Sequence, residues 1–116
     1  FAEMKKGGKA YVTYPDRQKY EGQPYFVSEY GGIKWNPEND GGWGYGDAPS
    51  TKEEFIERYR GLTTELLENP YIFGFCYTQL TDVEQEVNGL YTYDRKPKFN
   101  PAIIKEINET IAQIEK

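Results

Sequence analysis

Pro24-Tyr25-Phe26-Val27-Ser28-Glu29-Tyr30 is the stretch whose reading decides the fold. Aromatic and β-branched side chains favour the pleated backbone, and the run follows a Gly22-Gln23-Pro24 turn and stops at Gly31-Gly32. Its apolar residues are consecutive rather than alternating, which predicts a strand buried on both faces, as in a parallel sheet. Tyr71-Ile72-Phe73-Gly74-Phe75-Cys76-Tyr77 has the same character and predicts a second such strand. Between the two, Ser50-Thr51-Lys52-Glu53 reads as a capping box opening a helix. Phe55, Ile56, Tyr59, Leu62 (or its neighbour Thr63) and Leu66 give that helix one apolar face, and Asn69-Pro70 ends it. Asn100 and Pro101 fit the N-cap and first turn of a last helix, striped by Ile103, Ile104, Ile107, Ile111 and Ile114. Strands alternating with helices predict an α/β fold with crossover connections and a parallel sheet. Residues 1–23 read as an irregular lead-in, with a short strand at Ala10-Tyr11-Val12-Thr13-Tyr14; residues 24–116 carry the α/β unit.

Composition narrows the chemistry. The 116 residues amount to one ordinary domain at most, with 37% apolar and 28% charged residues. No apolar run approaches the ~20 residues of a membrane span, so no membrane partner is expected. A net charge of -5 argues against a nucleic-acid partner. The absence of histidine excludes Ser-His-Asp triads, Cys-His dyads and His-containing metal sites. A single cysteine excludes an internal disulfide and multi-Cys zinc sites, and Cys76 reads as a small core residue of its strand. No cofactor and no metal is expected. Carboxylates, amides, hydroxyls and aromatics remain, and aromatics reach 16%, with eleven Tyr, six Phe and two Trp. Such a set suits sugars, whose C–H faces stack on rings; it equally suits half-buried strands.

Candidate sites lie after the strands, where α/β proteins place them. Glu29 ends the first strand and offers a rigidly held carboxylate, a nucleophile or general base, or else a side chain simply solvated at a strand end. The Gly-rich stretch 31–49 is long for a structureless loop and holds Trp35 and Trp43, either sugar platforms or anchors of the loop. Asp82, Glu84 and Glu86 follow the second strand and read as sugar or cation ligands, or as an ordinary solvated loop. Asn36-Pro37-Glu38 reads as plain loop.

Two segments resemble glycoside hydrolase family 2, the family of β-galactosidases, β-glucuronidases and β-mannosidases. Pro24 to Gly32 is similar to the family's nucleophile segment. Gly74-Phe75-Cys76-Tyr77-Thr78-Gln79-Leu80-Thr81-Asp82-Val83, Asn88-Gly89-Leu90-Tyr91 and Asp94-Arg95-Lys96-Pro97-Lys98 resemble its last barrel strand and the loop beyond. The resemblance covers about residues 24–116 and implies a (β/α)₈ TIM barrel with retaining chemistry, run by two carboxylates ~5–5.5 Å apart. It implies Glu29 as nucleophile on strand seven, with Thr78, Gln79 and Asp82 at the end of strand eight near the sugar; Tyr30 and a loop tryptophan, Trp35 or Trp43, are further candidates for contact with it. Thr78 stands where many members carry a tryptophan platform, which leaves the sugar open. The acid/base glutamate of the family has no counterpart in this chain.

A full barrel takes about 250 residues, so the chain, which opens on Phe1, is expected to be a piece of one: the last two βα units. Its expected partners are a carbohydrate substrate, the rest of the glycosidase chain, and further copies of itself at open sheet edges. Alone it is expected to be inactive. A non-catalytic carbohydrate-binding module is the alternative, and an interaction domain with purely structural aromatics is a third. Neither the compartment nor the linkage is legible.

Overall fold

The computed structural model describes residues 4–6, 9–11, 21–36 and 42–116. Its elements in chain order are β1 (Met4–Lys6), β2 (Lys9–Tyr11), β3 (Tyr25–Gly31), α1 (Lys52–Glu68), β4 (Ile72–Thr78) and α2 (Pro101–Asn108), with a short 3₁₀ turn at Gln113–Glu115. The strand-helix-strand-helix order of an α/β fold is therefore present. β3 and β4 pair in parallel, from Tyr25 opposite Ile72 to Gly31 opposite Thr78. β1 and β2 form an antiparallel hairpin, so the lead-in is more regular than its composition suggests. Residues 12–14 of the strand expected there, and Pro37-Glu38 of the Asn36 triplet, lie outside the described residues.

The pairing of β3 with β4 shifts register between Val27 and Tyr30, a bulge that places an extra residue on β3 just before its end. Bulges bend a strand and re-aim its side chains. Here Tyr30 turns toward α1, where its hydroxyl meets Thr63 Oγ1 at 2.9 Å, while Glu29 is exposed. Tyr30 lies edge-on to Phe75 and Tyr77 of β4, and Tyr77 in turn meets Tyr59 of α1 at 5.0 Å between ring centroids. Burial raises the Tyr30 and Tyr77 phenols well above the ordinary tyrosine value, so both stay neutral.

Only one face of the two-stranded sheet is covered among the described residues. Phe26 and Phe73 are exposed and touch each other at 5.6 Å. The expectation of strands buried on both faces is corrected accordingly, and so is that of a core Cys76, which is exposed. The residue pattern asks for a second layer that the described residues do not supply.

α1 opens one residue later than the sequence suggests. Thr51 is the N-cap and its hydroxyl accepts the Glu54 amide at 3.1 Å; the Glu54 carboxylate accepts the Ser50 amide at 2.7 Å. The buried face is Phe55, Tyr59, Thr63 and Leu67, an i, i+4 ladder that leaves Leu62 outside. α2 has the expected Asn100 cap and Pro101, but it ends at Asn108, whose side chain accepts the Tyr59 hydroxyl at 2.8 Å. Ile111 and Ile114, past that end, are exposed.

The core joins the helices to the segments that follow the strands, with Tyr77 of β4 packed against it. It gathers Phe55 and Tyr59 of α1, Ile107 of α2, Ile33 and Trp35 from the segment after β3, and Leu90 and Phe99 from the segment after β4. Phe55 and Phe99 stack with centroids 4.0 Å apart. Four of these seven side chains come from segments outside regular structure, so burial of apolar surface fixes the post-strand loops themselves.

Candidate functional site

Two loops meet over the C-terminal ends of β3 and β4, held by backbone pairing. The Gly32 amide donates to Thr78 O at 2.8 Å, directly beyond the last register pair. Ile33 then bridges Tyr45 in parallel, and Trp43 bridges Glu86. The Trp35 amide donates to Val87 O, the Trp43 amide to Gln85 O, and the Val87 amide to Trp43 O. The described parts of the Gly-rich loop after β3 are therefore laced to the acidic loop after β4.

At this junction Glu29 receives a hydrogen bond. The Tyr45 hydroxyl donates to Glu29 Oε1 at 2.8 Å, and the neighbouring carboxylate raises the Tyr45 phenol above its ordinary value. Tyr45 was not among the residues singled out from the sequence. Its one signal is the run Gly42-Trp43-Gly44-Tyr45-Gly46, in which glycines flank each ring. Trp43 stands against Tyr45, edge to face at 4.9 Å, and the two residues are 47% and 50% exposed.

The remaining expected residues separate. Trp35 is only 8% exposed and packs against Phe99 in the core, so its ring is an anchor of the loop and presents no open face. Tyr30 is turned to α1 rather than to the loop junction. Thr78 ends β4 and is joined to Gln79 by a cis peptide bond. Gln79 is spent inside its own loop: its amide nitrogen donates to Asn88 Oδ1 at 3.0 Å, and its carbonyl accepts the Leu90 amide.

Asp82 is also engaged. Its Oδ1 accepts Lys98 Nζ at 2.6 Å and the Gly89 amide at 2.9 Å. The same ammonium donates to Trp35 O and Val87 O, so it clamps both loops. Asp82 Oδ1 is thus taken up in holding the loops together. Among the described residues no three His, Cys, Asp or Glu side chains converge on a point where a metal would sit.

What the junction brings together is an exposed carboxylate, Glu29, held by the Tyr45 hydroxyl, with Trp43 against the Tyr45 ring and Glu86 close enough for its charge to act on Tyr45. A concavity of about 440 Å³ lies at the opposite end of the strands beside Pro24, Pro70 and Phe73, and its lining includes no carboxylate.

Gly32 is the hinge of this arrangement. It adopts φ +62°, and a Cβ there would stand 2.0 Å from the Tyr45 ring. Gly32→Ala is therefore expected to displace Tyr45 and to cost on the order of 1–3 kcal/mol, from the left-handed backbone and the lost seat together. Urea unfolding checks it; a variant as stable as the parent would mean the ring is not seated on this glycine. The chain matches no family model and no curated protein.

Proposed function

We propose that the chain is the nucleophile-bearing part of a retaining β-glycosidase, the last two βα units of a (β/α)₈ barrel, with Glu29 as the nucleophile. The observation that carries the reading is Glu29 itself, exposed at the C-terminal end of a parallel strand, with one oxygen held by Tyr45. A carboxylate so placed suits attack on an anomeric carbon. Its free oxygen bonds to C1 as the C1–O bond to the leaving group breaks, and a glycosyl ester results. A carboxylic acid from outside this chain would protonate the leaving oxygen. Water then cleaves the ester and restores the carboxylate. The half-covered sheet, with Phe26 and Phe73 exposed, supports the incomplete-barrel part of the reading.

Trp43 is the platform this reading favours, since it is the tryptophan with an open face. The test is covalent labelling. A dinitrophenyl 2-deoxy-2-fluoro-β-glycoside needs no acid to lose its leaving group and traps the ester. In the full-length protein carrying this chain, peptide mapping is expected to find the label on Glu29. A label on another carboxylate overturns the assignment. Sugar binding by the 116-residue chain in calorimetry, with Glu29 unlabelled in the full-length protein, would instead favour a carbohydrate-binding module built on Trp43 and Tyr45.

A further inference from the structure

We infer that Tyr45 is the positioning residue of the Glu29 carboxylate, seated for that task on Gly32; the inference rests on the reading of Glu29 as nucleophile. A half-exposed tyrosine ordinarily has few restraints, and a glutamate has three rotatable bonds. Tyr45 is nonetheless fixed from several sides. Its amide donates to Gly32 O at 2.7 Å, and its backbone bridges Ile33. Its ring lies where a Gly32 Cβ would otherwise be, and the Trp43 indole stands edge to face against it. Gly44 permits the approach of the two segments, because a Cβ there would meet Lys34 Cβ at 2.6 Å and Gly32 O at 2.9 Å.

All these restraints converge on one polar contact, the hydroxyl on Glu29 Oε1. With Oε1 held, Oε2 is the oxygen left to attack, and after ester formation Oε1 becomes the carbonyl oxygen and still accepts the same hydrogen bond. The phenol stays a donor because the Glu29 carboxylate, reinforced by the charge of Glu86, opposes its ionisation. Tyr45 therefore chooses which oxygen reacts and keeps the carboxylate at one angle, while the Trp43 beside it forms the wall of the same subsite.

Tyr45→Phe removes the donor and keeps the ring that sits on Gly32. Two measurements test the inference. In the full-length protein, ¹³Cζ NMR of labelled tyrosine, with Tyr45→Phe assigning the signal, is expected to show Tyr45 titrating above free tyrosine, and Glu29→Gln is expected to move it back. In the full-length protein, Tyr45→Phe is expected to slow labelling of Glu29 by the 2-fluoro glycoside on the order of 10²-fold, as for a misplaced reacting group, with its melting temperature retained. If the label lands on Glu29 at the parental rate, or if the Tyr45 titration ignores Glu29→Gln, Tyr45 does not position the carboxylate. If the label maps to another carboxylate, the nucleophile reading has failed first.

Discussion

Lys98→Met is expected to cost about 3–5 kcal/mol of stability, the scale for removing one partner of a buried ion pair. The Lys98 side chain is 7% exposed and that of Asp82 14%. A lysine ammonium has three N–H donors, and three acceptors surround this one: Asp82 Oδ1 at 2.6 Å, Trp35 O at 3.0 Å and Val87 O at 3.1 Å. Burial pulls the Lys98 ammonium below its ordinary pKa, with Asp82 pulling the other way, so desolvation is the larger effect. Methionine fills the space but leaves a largely buried carboxylate without its counter-charge, held among the described residues by the Gly89 amide alone, and takes the ammonium donor from Trp35 O. A domain holds only about 5–15 kcal/mol in all, so the loss is a large fraction of what the chain has. Urea denaturation measures it. The double variant Asp82→Asn, Lys98→Met removes the stranded charge and is expected to recover a substantial part. A single variant within 1 kcal/mol of the parent, about the worth of an exposed pair, would show that the clamp is solvated.

The role of Asp82 shows where the sequence stops being legible. Asp82, Glu84 and Glu86 alternate in one polar stretch, and nothing local separates the carboxylate that is clamped from those that are not. The cation that selects Asp82 lies sixteen residues on, within a run that also holds Arg95 and Lys96. The tryptophans pose the same problem: Trp35 and Trp43 sit in similar Gly-rich surroundings, and only the pairing of their backbones with Val87 and Gln85 sends one to the core and the other outward. Even the start of α1 is ambiguous locally, because Ser50-x-x-Glu53 and Thr51-x-x-Glu54 are overlapping capping frames. By contrast β3, β4 and the starts and stops set by Asn69-Pro70 and Asn100-Pro101 were legible, since they rest on runs, caps and breakers within a few residues. Glu29 was legible for the same reason: its position at the end of a strand is a local property. Tyr45 was not, because its hydroxyl reaches back sixteen residues through a contact that only the Gly32 seat makes possible.

On the proposed reading of Glu29 as the nucleophile of a longer glycosidase chain, Glu29→Gly in the full-length protein is expected to lower hydrolysis of an aryl β-glycoside by on the order of 10⁴- to 10⁶-fold, the scale for loss of a covalent nucleophile. Sodium azide is expected to restore turnover and to give an α-glycosyl azide. The geometry gives the reason. Removing the carboxylate vacates a small space next to the Tyr45 hydroxyl, which now lacks the acceptor it holds at 2.8 Å. A small anion fits where the carboxylate oxygens were and meets the anomeric carbon from the same side, opposite the departing β-substituent. No ester then forms, so configuration inverts instead of being retained. The stereochemistry of the azide separates the roles open to this carboxylate. Were Glu29 the acid/base, azide would enter from the face the leaving group departs, after a first displacement by another carboxylate, and the product would be the β-azide. Were it a solvated side chain at a strand end, Glu29→Gly would hydrolyse the substrate near the parental rate and azide would change nothing. NMR of the product's anomeric proton tells the two azides apart, since axial and equatorial substituents give different couplings to the neighbouring ring proton.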